Sequence, residues 1–205
     1  MVRPDLQPPS APADLSDTCV VAVGASAGGI SALSVILAAL PANFPAPIVV
    51  VHHLAPEFPS LLAQILSRRT PLRVKQAEEN DRLHRGWVYV APPGRHLVTC
   101  ADGTLSLTVS EKVHYSRPSV DVLSESVASA FGSSAVGLVL TGGDGDGADG
   151  IRAIKAAGGV TFAQDEASSE QASMPRNAAK TGDVDYVLPL GGIGPALVTL
   201  LGTAA

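Results

Sequence analysis

Apolar positions along this chain fall into two alternating kinds of run. Cys19-Val20-Val21-Ala22-Val23 and Pro47-Ile48-Val49-Val50-Val51 are short, rich in β-branched residues and free of charge, which predicts strands buried on both faces. After each, apolar residues recur at helical spacing: Ile30, Leu33, Ile36, Leu37 and Leu40, stopped by Pro41, then Phe58, Leu61, Leu62, Ile65 and Leu66. Parallel strands need a crossover that a helix supplies, so this opening predicts a doubly wound parallel sheet.

The middle of the chain changes character. Gly86-Trp87-Val88-Tyr89-Val90-Ala91, His96-Leu97-Val98-Thr99-Cys100 and Thr104-Leu105-Ser106-Leu107-Thr108-Val109 predict strands, the last two joined by a tight turn through Asp102-Gly103. They read as an antiparallel hairpin extension at one edge of the sheet. Ser119 is placed to cap a helix carrying Val122, Leu123, Val127 and Phe131. Ala135 to Leu140 is a further buried strand, followed by a helix from about Ala148 to Ala157, a strand at Val160 to Ala163, and a final strand and helix. The expected fold class is therefore α/β, a doubly wound and mostly parallel sheet with helices on both faces. There is no internal repeat.

Composition narrows the picture. A chain of 205 residues, 46% apolar and 16% charged, suits one domain with a well-buried sheet. Pro4, Pro8, Pro9 and Pro12 mark residues 1–17 as a disordered leader without the apolar core of a signal peptide, leaving 18–205 as the folded domain. No apolar run is long enough to span a membrane, so no membrane insertion is expected. Cys19 and Cys100 lack metal-ligand spacing and read as reduced thiols of a cytoplasmic protein. A net charge of −5 argues against nucleic acid as a partner, and the clusters Arg68, Arg69, Arg73 and Arg82, Arg85 read as a solvated helix end and loop.

The candidate chemistry lies at strand ends. The first strand runs directly into Gly24-Ala25-Ser26-Ala27-Gly28-Gly29 and then into a helix. This is the arrangement of a nucleophile elbow, which raises a hydroxyl on a tight turn at the carboxyl edge of a sheet. The same string also suits a glycine-rich turn that holds a phosphate at a helix N-terminus, so the local motif leaves both readings open. In an open parallel sheet reactive groups gather beyond the carboxyl ends of strands. Three sets sit there: Ser26, the pair His52-His53, and the acidic loop Asp144/Asp146. A serine hydroxyl needs a histidine to take its proton, and that histidine needs a carboxylate on its other nitrogen. Neighbouring strand residues point to opposite faces, so His52 and His53 cannot both serve one site. His84, His96 and His114 read as surface or hydrogen-bonded histidines. Asp144, Asp146 and Asp149 do not complete a calcium loop, because the third acid is displaced and Lys155 occupies the twelfth position, so neither metal nor cofactor is expected.

The order Ser, His, Asp differs from that of ordinary α/β-hydrolases. The segments GASAGGISAL, VVVHHLAPEFPSLLAQIL, WVYVAPPGRHL, HYSRPSVDVL, LVLTGGDGDGADG and FAQDEASSEQASMPRNA, spread in this order from about residue 18 to residue 201, resemble the catalytic domain of CheB, the chemotaxis receptor methylesterase. The resemblance implies Ser26 as nucleophile, His53 (followed by Leu54-Ala55-Pro56) as general base, and Asp146 as the carboxylate that orients it, with His52 in packing or support. It implies an oxyanion hole built from the backbone N–H groups of Ala27 and Gly143. The family commonly reads Thr-Gly-Met-Gly-Asn-Asp-Gly where this chain has Gly143, Asp144 and Gly145 in place of Met, Gly and Asn, so the loop lacks an apolar anchor and gains flexibility. Arg117, Pro118, Ser119 and Arg176 lie in family-like segments and either line a substrate cleft or pack and cap locally.

The implied function is a serine hydrolase that removes methyl esters from glutamate side chains of methyl-accepting chemotaxis receptors, and that also deamidates receptor glutamines. Two rival readings are a catalytically weak receptor-binding module of the same fold, motivated by the altered 143–145 loop, and a general small-ester hydrolase. The family's best-known members carry an amino-terminal receiver domain. The short segment before the first strand here leads to the expectation of a constitutively open esterase, or of one controlled by a separate response regulator or scaffold.

Overall fold

The computed structural model describes residues 19–53 and 60–202. The expected 1–17 leader, Leu54-Ala55-Pro56 and Phe58 lie outside the described residues. The elements run β1 (Val20–Ala25), α1 (Gly29–Ala38), β2 (Ile48–His52), α2 (Leu62–Ser67), β3 (Arg73–Gln76), β4 (Trp87–Val90), β5 (His96–Thr99), β6 (Leu105–Thr108), α3 (Val120–Phe131), β7 (Ala135–Val139), α4 (Ala148–Ala156), β8 (Val160–Gln164), α5 (Ser173–Lys180), β9 (Tyr186–Leu188) and α6 (Leu190–Leu201).

Seven strands form one sheet in the order β3-β4-β2-β1-β7-β8-β9, and every neighbouring pair is parallel. Of the three strands expected as an antiparallel extension at an edge, β4 lies inside this sheet, parallel to both β2 and β3, and β5 and β6 form a separate two-stranded antiparallel sheet. Two physical facts place the hairpin there. The edge beside β4 is taken by β3, in which Arg73, Lys75 and Gln76 leave no apolar run. Leu97 and Leu105 of the hairpin also bury themselves with Leu123 and Val127 of α3.

Side-chain alternation divides the core in two. Val21, Val23 and Ala25 of β1 and Ile48 and Val50 of β2 pack with Leu33, Ile36 and Leu37 of α1, Leu66 of α2 and Leu197 of α6. Val20 and Ala22, with Val49 and Val51, pack against Val120, Leu123 and Val127 of α3, Ile151 and Ile154 of α4, and Met174 of α5. Helices thus cover both faces, which accounts for strands with no polar alternation.

Connectivity sets the position of the crevice. The chain leaves β1 toward β2 on one flank and returns to the other flank only with β7. A reversal of this kind opens a groove at the carboxyl ends of the strands. Gly24, near the end of β1, lets the start of α3 close over that groove, because a Cβ there would come within 2.2 Å of Val120 Cγ1.

Candidate active site

The turn after β1 is locked from two sides. The Ser26 amide donates to the carbonyl of Thr141 at 2.9 Å, and the Gly29 amide donates back to the carbonyl of Ser26 at 2.8 Å. Gly28 caps α1 with a left-handed φ of 76°, a conformation that favours glycine. Gly142 packs so closely that a Cβ there would meet Ser26 Cβ at 2.9 Å and the Met174 sulfur at 1.9 Å. Ser26 is half-buried on this turn, and Ala27 beside it is exposed.

β2 delivers its two histidines to opposite faces. His52 lies on the α1 side, where a Cβ on Gly29 would come within 2.8 Å of its Cδ2. Burial and the neighbouring His53 lower the His52 pKa, and its ring nitrogens have no hydrogen-bond partner among the described residues. His53 follows at the strand end, its amide donating to the Ala25 carbonyl at 3.1 Å. Its Nε2 lies 2.8 Å from Asp146 Oδ2 and its Nδ1 lies 3.1 Å from Asp144 Oδ2. Burial alone would lower the His53 pKa, but the hydrogen bonds and charges of Asp144 and Asp146 outweigh it and raise the imidazole to about 9.

Asp146 is fully buried, with 0% exposure, at the N-terminus of α3. Its Oδ1 accepts from the Ser119 hydroxyl at 2.8 Å and the Asp121 amide at 2.9 Å, while its Oδ2 accepts from the Val120 amide at 2.7 Å as well as facing His53. Unpaired N–H groups at a helix start favour a negative charge. Burial pushes the Asp146 pKa upward, yet the hydrogen bonds from His53, the Asp121 and Val120 amides and Ser119 more than offset it, so the pKa is lowered. The buried carboxylate is therefore held ionised. Asp144 Oδ1 accepts from the Asp146 amide at 3.1 Å, and Asn177 Nδ2 donates to the Asp144 carbonyl at 3.3 Å, which ties the loop to α5.

The CheB methylesterase family model matches residues 21–197. The chain belongs to that family. A protein-glutamate methylesterase/protein-glutamine glutaminase of Anaeromyxobacter dehalogenans is 46% identical over 188 residues, covering 92% of this chain and 55% of its own length. A Leptospira interrogans protein that bears the same double name provisionally is 41% identical over 180 residues and is matched over 93% of its length. The chain thus spans nearly all of one relative and about half of the other. The crystal structure of the Thermotoga maritima CheB methylesterase catalytic domain superposes with a TM-score of 0.86 at 36% identity, covering 90% of this chain and 99% of that one.

The remaining positions singled out by likeness to CheB divide in space. The Ser26 and Gly142 amides are committed to the carbonyls of Thr141 and Gln171, whereas the amides of Ala27 and Gly143 have no intramolecular acceptor among the described residues. Gly143 stands in open space, with nothing within 4 Å of a Cβ built on it. Arg117 joins His53, Lys112 and Tyr115 in lining a cleft of about 240 Å³. Its Nη1 donates to the carbonyls of Val109 and Ser110 at 3.0 and 2.7 Å. Pro118 lines the same cleft, and Ser119 caps α3 while bonding Asp146. Arg176 is not in the cleft: it is exposed and forms a two-pronged pair with Glu166 at 2.7 and 2.8 Å. Its guanidinium geometry is satisfied by a nearer carboxylate.

Three supporting contacts escaped the sequence pattern. The contact of Asp144 with the second imidazole nitrogen depends on the path of a glycine-rich loop. His96 is fully buried; its Nδ1 accepts the Ser119 amide at 3.2 Å and its Nε2 lies 2.9 Å from the Glu111 carbonyl, so it braces the start of α3. Asp121 accepts the Gly147 and Gly150 amides at 2.9 and 2.7 Å, joining α3 to α4 behind Asp146. Burial and the neighbouring Asp146 and Asp149 carboxylates raise its pKa to about 6. His114 Nε2 lies 3.1 Å from the other Asp121 oxygen. Among the described residues, no helix is long and apolar enough to cross a membrane.

Proposed function

We propose that this chain is a protein-glutamate methylesterase in which Ser26 is the nucleophile, His53 the general base and Asp146 the carboxylate that orients it. The observation behind this reading is the His53–Asp146 pair, anchored at the start of α3 and set at the strand end beside the serine turn. Asp146 holds Nε2, so Nδ1 is the nitrogen left to work on substrate.

The chemistry follows in two halves. The Ser26 oxygen attacks the carbonyl of a γ-glutamyl methyl ester while its proton passes to His53 Nδ1. The tetrahedral oxyanion is stabilised by the Ala27 and Gly143 amides; one such donor contributes about 3 kcal/mol to lowering the barrier. His53 then protonates the leaving methoxide, giving methanol and an acyl-serine. Water, deprotonated by His53, hydrolyses the acyl-serine to glutamate and restores the hydroxyl. A glutamine side chain enters the same path with ammonia as the leaving group, which matches the second half of the Anaeromyxobacter relative's name.

A methyl group offers little to recognise, so selectivity comes from the surface around the ester. The Lys112, Tyr115 and Arg117 side of the cleft supplies cationic and aromatic contacts suited to an acidic helical segment. Methyl-accepting chemotaxis receptors are the substrates on this reading, in the cytoplasm. Arg176 has no part in the cleft.

The test is methanol release from methyl-labelled receptor membranes, run beside a soluble chromogenic ester with native protein and Ser26→Ala. Release that disappears in Ser26→Ala supports the reading. Receptor binding without release favours the binding-module alternative, and turnover of the soluble ester alone favours a general esterase.

A further inference from the structure

We propose that Asp144 is a positioning residue that holds His53 in a resting arrangement, competing with the Ser26 hydroxyl for the imidazole Nδ1. The inference rests on the triad reading given above. Its starting point is geometric: each ring nitrogen of His53 faces a carboxylate, Asp146 at 2.8 Å and Asp144 at 3.1 Å. An imidazole can donate from both nitrogens only as the imidazolium. The base of a serine hydrolase must instead present one unprotonated nitrogen to the hydroxyl. Among the described residues, no hydrogen bond joins Ser26 to His53.

The contact is built rather than incidental. Asp144 Oδ1 is fixed by the Asp146 amide and the Asp144 carbonyl is tied to Asn177, which turns Oδ2 onto His53. The two carboxylates differ in freedom. Asp146 has a side chain 0% exposed, whereas the Asp144 side chain is 36% exposed and sits between Gly143 and Gly145. The other titratable or charged groups around the imidazole are His52 on β2, Asp121 on α3 behind Asp146, and Lys112, Tyr115 and Arg117 across the cleft. Of all these, Asp144 alone is bonded to Nδ1.

The working cycle then has an added step. Losing one proton to solvent leaves His53 neutral, with its remaining hydrogen on Nε2 and donated to Asp146. The bare Nδ1 lone pair now faces the Asp144 carboxylate, an acceptor facing an acceptor, and Asp144 swings toward solvent. Nδ1 is free to take the Ser26 proton. Lys112, which lines the same cleft, can hold the displaced carboxylate.

The experiment uses Asp144→Ala and Asp144→Asn, each checked for native folding by circular dichroism. His53 is titrated by NMR in the Ser26→Ala background, so that the result does not depend on catalysis. Loss of the charge should lower the His53 titration point by about one pH unit or more in both variants. With Ser26 restored, the acid limb of kcat/KM should move down by the same amount, and the Asp144→Ala rate on a soluble ester at pH 7 should rise on the order of tenfold. Asp144→Asn should gain less, because its amide can still donate to Nδ1. A His53 titration indifferent to Asp144, or an Asp144→Ala rate that falls across the whole pH range, overturns the proposal. Failure of the triad reading gives a different result: His53→Ala would then keep native activity whatever the NMR titration shows.

Discussion

Gly24 and Val120 are packed so tightly that a Cβ on the glycine would lie 2.2 Å from Val120 Cγ1 and 2.6 Å from Cγ2. Val120 is also the first residue of α3, and its amide donates to Asp146. The closeness of strand and helix therefore fixes where the buried carboxylate sits. Gly24→Ala should cost about 1–3 kcal/mol of stability by overpacking and should reduce ester hydrolysis by displacing the Asp146 cradle. Urea denaturation and kcat on a soluble ester check this. Unchanged values for both would mean that α3 can retreat without consequence.

On the proposed reading Asp146 has two duties, one structural and one catalytic, that substitutions can separate. Asp146→Ala removes the acceptor for Ser119, Val120 and Asp121 and leaves their donors buried, so a loss of about 3 kcal/mol or more is expected. Asp146→Asn keeps the shape and one acceptor oxygen but turns an amide donor onto the N–H groups that faced the other oxygen, so it should cost less stability than Asp146→Ala and lose about ten-thousandfold in kcat through failure to orient and balance the imidazolium. Because the Asp146 pKa is lowered in the folded state, its contribution to stability is present above the unfolded carboxylate pKa. That contribution is lost as pH falls through the folded value. A comparison of native and Asp146→Asn denaturation curves from neutral pH downward reads the loss directly.

The His53 linkage runs the other way. A pKa raised from 6.5 to about 9 means that its stabilising contribution is complete below pH 6.5 and is lost as pH climbs through about 9. The shift corresponds to on the order of 3 kcal/mol at most. The stability gap between native protein and His53→Gln should therefore shrink between pH 6.5 and 9.5. A gap that stays constant across that window would mean that His53 is not protonated between the two carboxylates.

Two adjacent glycines should respond oppositely to the same change. A Cβ at Gly142 would press on Ser26 Cβ at 2.9 Å, whereas one at Gly143 has nothing within 4 Å. Gly142→Ala should disturb the serine turn and cut activity at least tenfold, a loss of about 1.4 kcal/mol in transition-state stabilisation. Gly143→Ala should fold normally and keep its backbone N–H. Parallel thermal melts and soluble-ester assays separate the two.

Most of the sheet was legible in the sequence because its inner strands are buried on both faces, and such strands leave continuous apolar runs. The outermost strand β3 was not, since Arg73, Lys75 and Gln76 face solvent or pair with acids and leave Val74 as its only apolar residue. Helix α5 was hidden for a related reason: Met174, Pro175 and Ala178 are its buried face, and a proline in the first turn looks like a break although the first turn tolerates it. The hairpin was visible, but its partner was not, because alternation in β5 and β6 states that one face is buried without stating against what. The histidine pair separated correctly by strand parity, with His52 toward α1 and His53 toward α3. What no periodicity encodes is the meeting of Asp144 with the second imidazole nitrogen, since glycine-rich loops take paths set by their anchors.

The most direct measurement is the site of attack by an active-site-directed fluorophosphonate, mapped by peptide mass spectrometry in the native protein and in His53→Ala. A single adduct on Ser26, formed at least a hundredfold more slowly in His53→Ala, is the predicted result. An adduct on another residue, or Ser26 labelling that proceeds equally fast without His53, would contradict it.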